Sequence, residues 1–120
     1  MSDNKLFFEV PYGVESSKFV ALYCVGLLTC ACSNGFINSG ASYFFLPRTV
    51  NLLKKSEVDP EVIRLVSLGC ELEDVESLVP HRLQNAMDSL RSGFLEYLSG
   101  FPASSLNFND FFSVSEAYNK

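Results

Sequence analysis

Four carboxylates fall within six residues, at Glu71, Glu73, Asp74 and Glu76, and three more, Glu57, Asp59 and Glu61, precede them. Only Arg64 offsets them in the stretch 57–76, so seven acids against one base leave it at −6, while the rest of the chain carries seven acids and eight bases. Like charges held this close repel one another. Such a patch repels phosphate backbones and draws in basic protein surfaces, and it raises the rate at which a basic partner is met. The structural alternative is a solvated helix face whose acids favour the positive end of the helix dipole. Direct nucleic-acid binding is disfavoured, because it needs a positive footprint.

Other chemistry finds little support. His81, the only histidine, follows Pro80. It would need Glu73 and Glu76 to form a cation site, and their spacing matches no HExxH-like pattern. A Cys70–His81 nucleophile pair lacks an orienting third group and an oxyanion loop. Phosphate-binding and nucleophile-elbow motifs are absent from the sequence. The four cysteines, Cys24, Cys30, Cys32 and Cys70, fit neither a zinc ribbon nor a secreted disulfide framework. They read as small reduced hydrophobes. No enzyme, cofactor or metal is expected.

A chain of 120 residues is one domain's worth, and 48% hydrophobic residues is enough to build a core. The expectation is a single helical domain over 1–120. The N-terminus is polar, with no basic segment leading into an apolar run, and no N-x-S/T sequon occurs. A cytoplasmic location is expected.

The elements that would position the acids can be placed from capping residues and periodicity. Residues 6–10 form an extended segment ended by Pro11 and Gly13. Ser16 or Ser17 caps a first helix whose apolar run, 19–32, stops at Asn34-Gly35. Fourteen residues of helix span about 21 Å, short of the roughly 30 Å of a bilayer core, so a buried central helix is expected and a membrane span is not. Asn38 caps a short helix through Phe45. Pro47 opens another, which closes on Lys54 and Lys55. Asp59-Pro60-Glu61 combines capping acid, proline and first-turn acid, and starts a helix that runs to Gly69. Leu72, Val75 and Leu78 mark the apolar side of a short helix from about 71 to 78. After Pro80, Leu83, Met87, Leu90, Phe94 and Leu98 form an amphipathic stripe. The five aromatic residues of 101–120 imply a tail that docks on the helices or is itself a contact surface. The fold class expected is all-α: a compact bundle of about five to seven helices around a hydrophobic central helix.

The run 68–80, L-G-x-E-L-E-D-x-E-S-L-x-P, together with Asn34-Gly35-Phe36-Ile37 and Phe45-Leu46-Pro47-Arg48-Thr49, resembles a family of small uncharacterised bacterial proteins over roughly 19–98. In type, the chain also resembles the immunity proteins of contact-dependent growth inhibition systems. That resemblance implies a cytosolic protein which binds one cognate basic toxin, commonly a nuclease. Residues 71, 73, 74 and 76 would then be the contacts, with Glu57, Asp59 and Glu61 as steering charges. The partner would be the toxin's nuclease domain, a ribonuclease by preference, covered at its basic cleft; neither nucleic acid nor membrane is an expected partner. The alternative is a helical adaptor or self-associating module with no toxin partner. Oligomeric state is left open.

Overall fold

In the computed structural model, residues 4–101 and 113–118 are described; of 4, 5, 7, 8 and 113–118 only the backbone is. The body of the protein is all-α. Its α-helices are α1 (Val14–Asn34), α2 (Pro47–Lys55), α3 (Pro60–Gly69), α4 (Leu72–Leu78) and α5 (Leu83–Ser99). Single 3-10 turns at Ala41–Tyr43 and Pro80–Arg82 join them. Near the chain ends, β1 (Asn4–Glu9) and β2 (Ser113–Tyr118) pair antiparallel, with Asn4 opposite Tyr118 and Glu9 opposite Ser113. The extended N-terminal segment thus forms as expected, and part of the tail is its partner strand. Phe108, Phe111 and Phe112 lie outside the described residues.

The stripe read on α5 is the core-facing side of that helix: Leu83, Met87, Leu90, Phe94 and Leu98 are all buried. Its counterpart on α1 is a row of small residues broken by one large one, Ala21, Cys24, Leu28 and Ala31, each with no exposed surface. Small side chains let two helix axes approach closely, and α1 and α5 form the most extensive helix pair. A polar seam flanks it: the Arg91 guanidinium donates to Asp88 Oδ1 at 3.3 Å and to Thr29 Oγ1 at 3.4 Å, and the Cys32 thiol lies 3.5 Å from Asp88 Oδ1.

Three expectations for α1 are corrected. Ser16 and Ser17 do not cap it; the helix begins at Val14, and both hydroxyls, inside its first turns, donate back to the Gly13 carbonyl at 3.1 and 2.6 Å. Starting earlier makes α1 21 residues long, or about 31 Å. By length and composition it could therefore cross a bilayer, so the length objection fails, although a third of its most apolar window is buried inside the protein. Nor is α1 the hub. One face is exposed at Leu22, Tyr23, Gly26 and Cys30, whereas α5 packs against α1, α3 and α4. Uniform apolarity along α1 hid which of its faces was the inner one.

Lys18 is buried because its stem lies in the core while its ammonium sits 3.4 Å from Glu15 Oε1 and 5.0 Å from the centre of the Phe101 ring. The stop at Asn34-Gly35 is confirmed: Gly35 has φ 89°, and its amide donates to Ala31 O at 2.7 Å. Asn38 does not cap the next element. Gly40, in the left-handed region, precedes a 3-10 turn there instead. For α3, the start signal works as read: Asp59 accepts the Glu61 amide at 2.9 Å, with Pro60 in the first turn.

Candidate functional site

The seven acids read from the sequence do not form one set; the structure divides them by what each carboxylate already holds. Glu76 is occupied by the fold. Its two oxygens accept the backbone amides of Phe36 at 2.9 Å and Ile37 at 3.1 Å, tying α4 to the turn after α1. Those amides have left the α1 ladder, and a charged acceptor satisfies both. Glu76→Ala is expected to cost about 2 kcal/mol in urea titration, because two amides lose their acceptor. Glu73→Ala, three residues away on exposed surface, is expected to change stability by less than about 0.5 kcal/mol. Equal costs for the two variants would refute the clamp.

Asp59 is partly committed as well. Besides capping α3, it accepts the Tyr97 hydroxyl at 3.3 Å, and its own amide donates to Ser17 Oγ at 2.7 Å. Burial, followed by the nearby Asp59 carboxylate, pushes the Tyr97 phenol above its ordinary value. Glu61 is paired with Arg64 through two guanidinium bonds, one of 3.1 Å. Chiefly through that hydrogen bonding, its carboxyl is held below the usual range. Glu57 follows the Ser56 cap of α2 on exposed surface with φ 58°, a left-handed conformation that costs a side-chain-bearing residue about 1 kcal/mol.

Glu71, Glu73 and Asp74 remain. All three are exposed, and among the described residues none of their carboxylates makes a hydrogen bond or ion pair. They stand at the start of α4, where Glu71 lines an open groove of about 360 Å³ between α3, α4 and α5. Leu65, Leu68, Leu72, Val75 and Leu90 make its floor, and Glu71 and Arg64 reach its rim. On the α5 side the wall is low, built of Ala86, Ser89 and Gly93. Sequence reading missed this wall, although small residues at steps of three and four along one flank of an amphipathic helix are a usable signal for it. It also misplaced Leu78, which is 78% exposed rather than on the inner side of α4. Leu72 and Val75 complete the inner side without it.

Four residues of the run 68–80 have work inside the fold. Gly69 leaves space for the Phe45 ring, Leu72 is buried, Glu76 clamps the Phe36 turn, and Pro80 opens the 3-10 turn before α5. The fold uses these residues, and it makes no such use of the Glu71, Glu73 and Asp74 side chains.

Burial, with a smaller contribution from Glu71, pushes the half-buried Cys70 thiol upward, the opposite of what a nucleophile needs. Burial does the same to Cys24. His81 is exposed on the Pro80 turn. Among the described residues, no group of three His, Cys, Asp or Glu side chains is placed to hold a metal ion.

Fold and site together define an all-α protein with an apolar groove and an acidic bank. Residues 13–113 match the family described as Protein of unknown function (DUF3969), and the chain belongs to that family. No curated protein and no solved structure matches it.

Proposed function

We propose that this protein is a non-enzymatic binding module of the cytoplasm that engages a basic protein through α4 and the adjoining groove. In this reading it acts as an immunity protein. It covers the basic cleft of a cognate nuclease toxin, a ribonuclease by preference, with Glu71, Glu73 and Asp74 standing in for substrate phosphates. The observation that carries the reading is that these three carboxylates are exposed and unpaired in a fold that gives their neighbours internal work. Unpaired acids held together raise the potential that steers a basic partner. Glu57 and Asp59 add to that field at longer range, and Glu61 adds less because the Arg64 guanidinium already neutralises it.

Joint reversal of Glu71, Glu73 and Asp74 to Lys tests the reading. The variant should fold, since these side chains hold nothing internal. Its capture of the protein encoded by the adjacent upstream gene should weaken about 100-fold or more at low salt, with loss of protection against that protein. A folded variant that captures and protects like the parent would sink the reading. It would favour the alternative, a helical adaptor working through the exposed Leu22 and Tyr23 face of α1.

A further inference from the structure

We propose that the α3–α4–α5 groove is the seat of an amphipathic helix from a basic partner. An apolar side chain of that helix enters between Leu68 and Val75, and flanking Lys or Arg side chains meet Glu71 and Asp74. This rests on the protein-binding reading above and adds the form of the partner.

The shape of the groove favours a helix. Ala86, Ser89 and Gly93 recur along one flank of α5 at steps of three and four, which leaves a long, low wall. A wall without long side chains lets another helix backbone lie close, and a helix delivers apolar anchors at the same spacing. The floor is aliphatic; Leu65, Leu72 and Leu90 in it are buried, Val75 is half-buried and Leu68 remains 44% exposed. Desolvating Leu68 and Val75 rewards an apolar anchor.

The charge selects a basic helix. Glu71, immediately before α4, lines the groove, Asp74 follows three residues later in the first turn, and α4 itself lines the groove through Leu72 and Val75. Arg64, the base at the rim, already has its guanidinium on Glu61. The charge free to meet a partner is therefore negative.

A second copy of this chain is a poorer occupant. Its α2 does expose a fitting face, Arg48, Leu52 and Lys55, with Leu52 61% exposed. However, α2 packs on the other flank of α3, where Pro47, Val50 and Asn51 line a cleft with Ser67 and Cys70. Copies joined in this way would bring together two chains that each carry a net charge of −5, so they repel one another.

The test uses the full chain and three labelled synthetic helices followed by fluorescence anisotropy: one of Leu and Lys, one with Glu in place of Lys, and one with Ser in place of Leu. The Leu–Lys helix should bind, and each of the other two should bind about tenfold more weakly or worse. Ser89→Trp, which fills the low wall, should cost about tenfold, and Leu68→Ser should cost several-fold. Glu71→Gln with Asp74→Asn should weaken binding and flatten its salt dependence. Thermal melts establish that each variant is folded; either groove variant alone suffices if the other is not. The proposal is overturned if the Leu–Lys helix fails to bind, if the Glu helix binds as well, or if folded Ser89→Trp and Leu68→Ser bind as the parent does. It is also overturned if sedimentation shows assemblies that grow with concentration and vanish in Leu52→Ser, which would make a second copy the occupant. Capture of the upstream gene's product separates the two ideas. If groove variants retain capture and charge reversal abolishes it, the groove fails and the binding reading stands; if the parent captures nothing, the binding reading fails.

Discussion

Phe94→Ala is expected to lower the unfolding free energy by about 3–5 kcal/mol, the largest stability loss of any variant considered. Phe94 has no exposed surface and lies in the buried stripe of α5, between Leu90 and Leu98. Because α5 packs on α1, α3 and α4, a void at this point is shared by several elements. Collapse cannot fill it. The inner face of α1 offers one long side chain, Leu28, among the short Ala21, Cys24 and Ala31, and α5 is already close to α3 where Gly93 faces Leu65. A trapped cavity adds to the lost transfer free energy. Leu95, the next residue, is 49% exposed, and Leu95→Ala should cost less than about 1 kcal/mol. Denaturant titration of the two variants checks both values. A Phe94→Ala cost within about 1 kcal/mol of the Leu95→Ala cost would mean that the core relaxes around the site.

Gly69→Ala is the second large effect, and its sign is informative. On helix propensity alone, alanine in place of glycine gains up to about 1 kcal/mol. Here the added Cβ would stand 2.6 Å from Phe45 Cε1, and closer still to Cδ1. Phe45 is itself buried and cannot swing away, because its ring packs 5.8 Å from Phe36 and edge-on to Phe44 at 5.4 Å. Accommodating the methyl group therefore disturbs three rings, and a loss of about 3 kcal/mol is expected. A Phe45→Leu change in the same chain should recover part of it by shortening the side chain that is struck. If Gly69→Ala were neutral or stabilising, Gly69 would matter only as a helix terminator.

The same glycine shows where legibility from sequence stops. The run 68–80 stands out in the sequence as a concentration of charge, yet much of it serves packing. Nothing local marks Gly69 as the seat of Phe45, 24 positions earlier, or Glu76 as the acceptor for amides at 36 and 37, some 40 positions earlier. Charge counting treats all carboxylates alike, so Glu76, committed to two amides, was grouped with the free Glu71, Glu73 and Asp74. The groove was hidden for a related reason. Its floor comes from three helices, and its defining wall at 86, 89 and 93 consists of residues too small to appear in a hydrophobic stripe.

By itself the sequence determined the elements whose signals are local: the Asp59-Pro60 start of α3, the Pro47 start of α2, the Gly35 stop and the inner stripe of α5. Each depends on a few neighbouring residues and on the helical repeat, so each is readable without knowing what it packs against. The acidic stretch is in the same category, since charge density along a chain needs no fold to be counted. Only the tertiary structure decided that α5 and not α1 touches most of the helices, and which acids the fold uses and which it leaves facing outward. Those outcomes depend on contacts between residues far apart in the chain. A uniformly apolar helix such as α1 carries no local mark of the face its partners will cover.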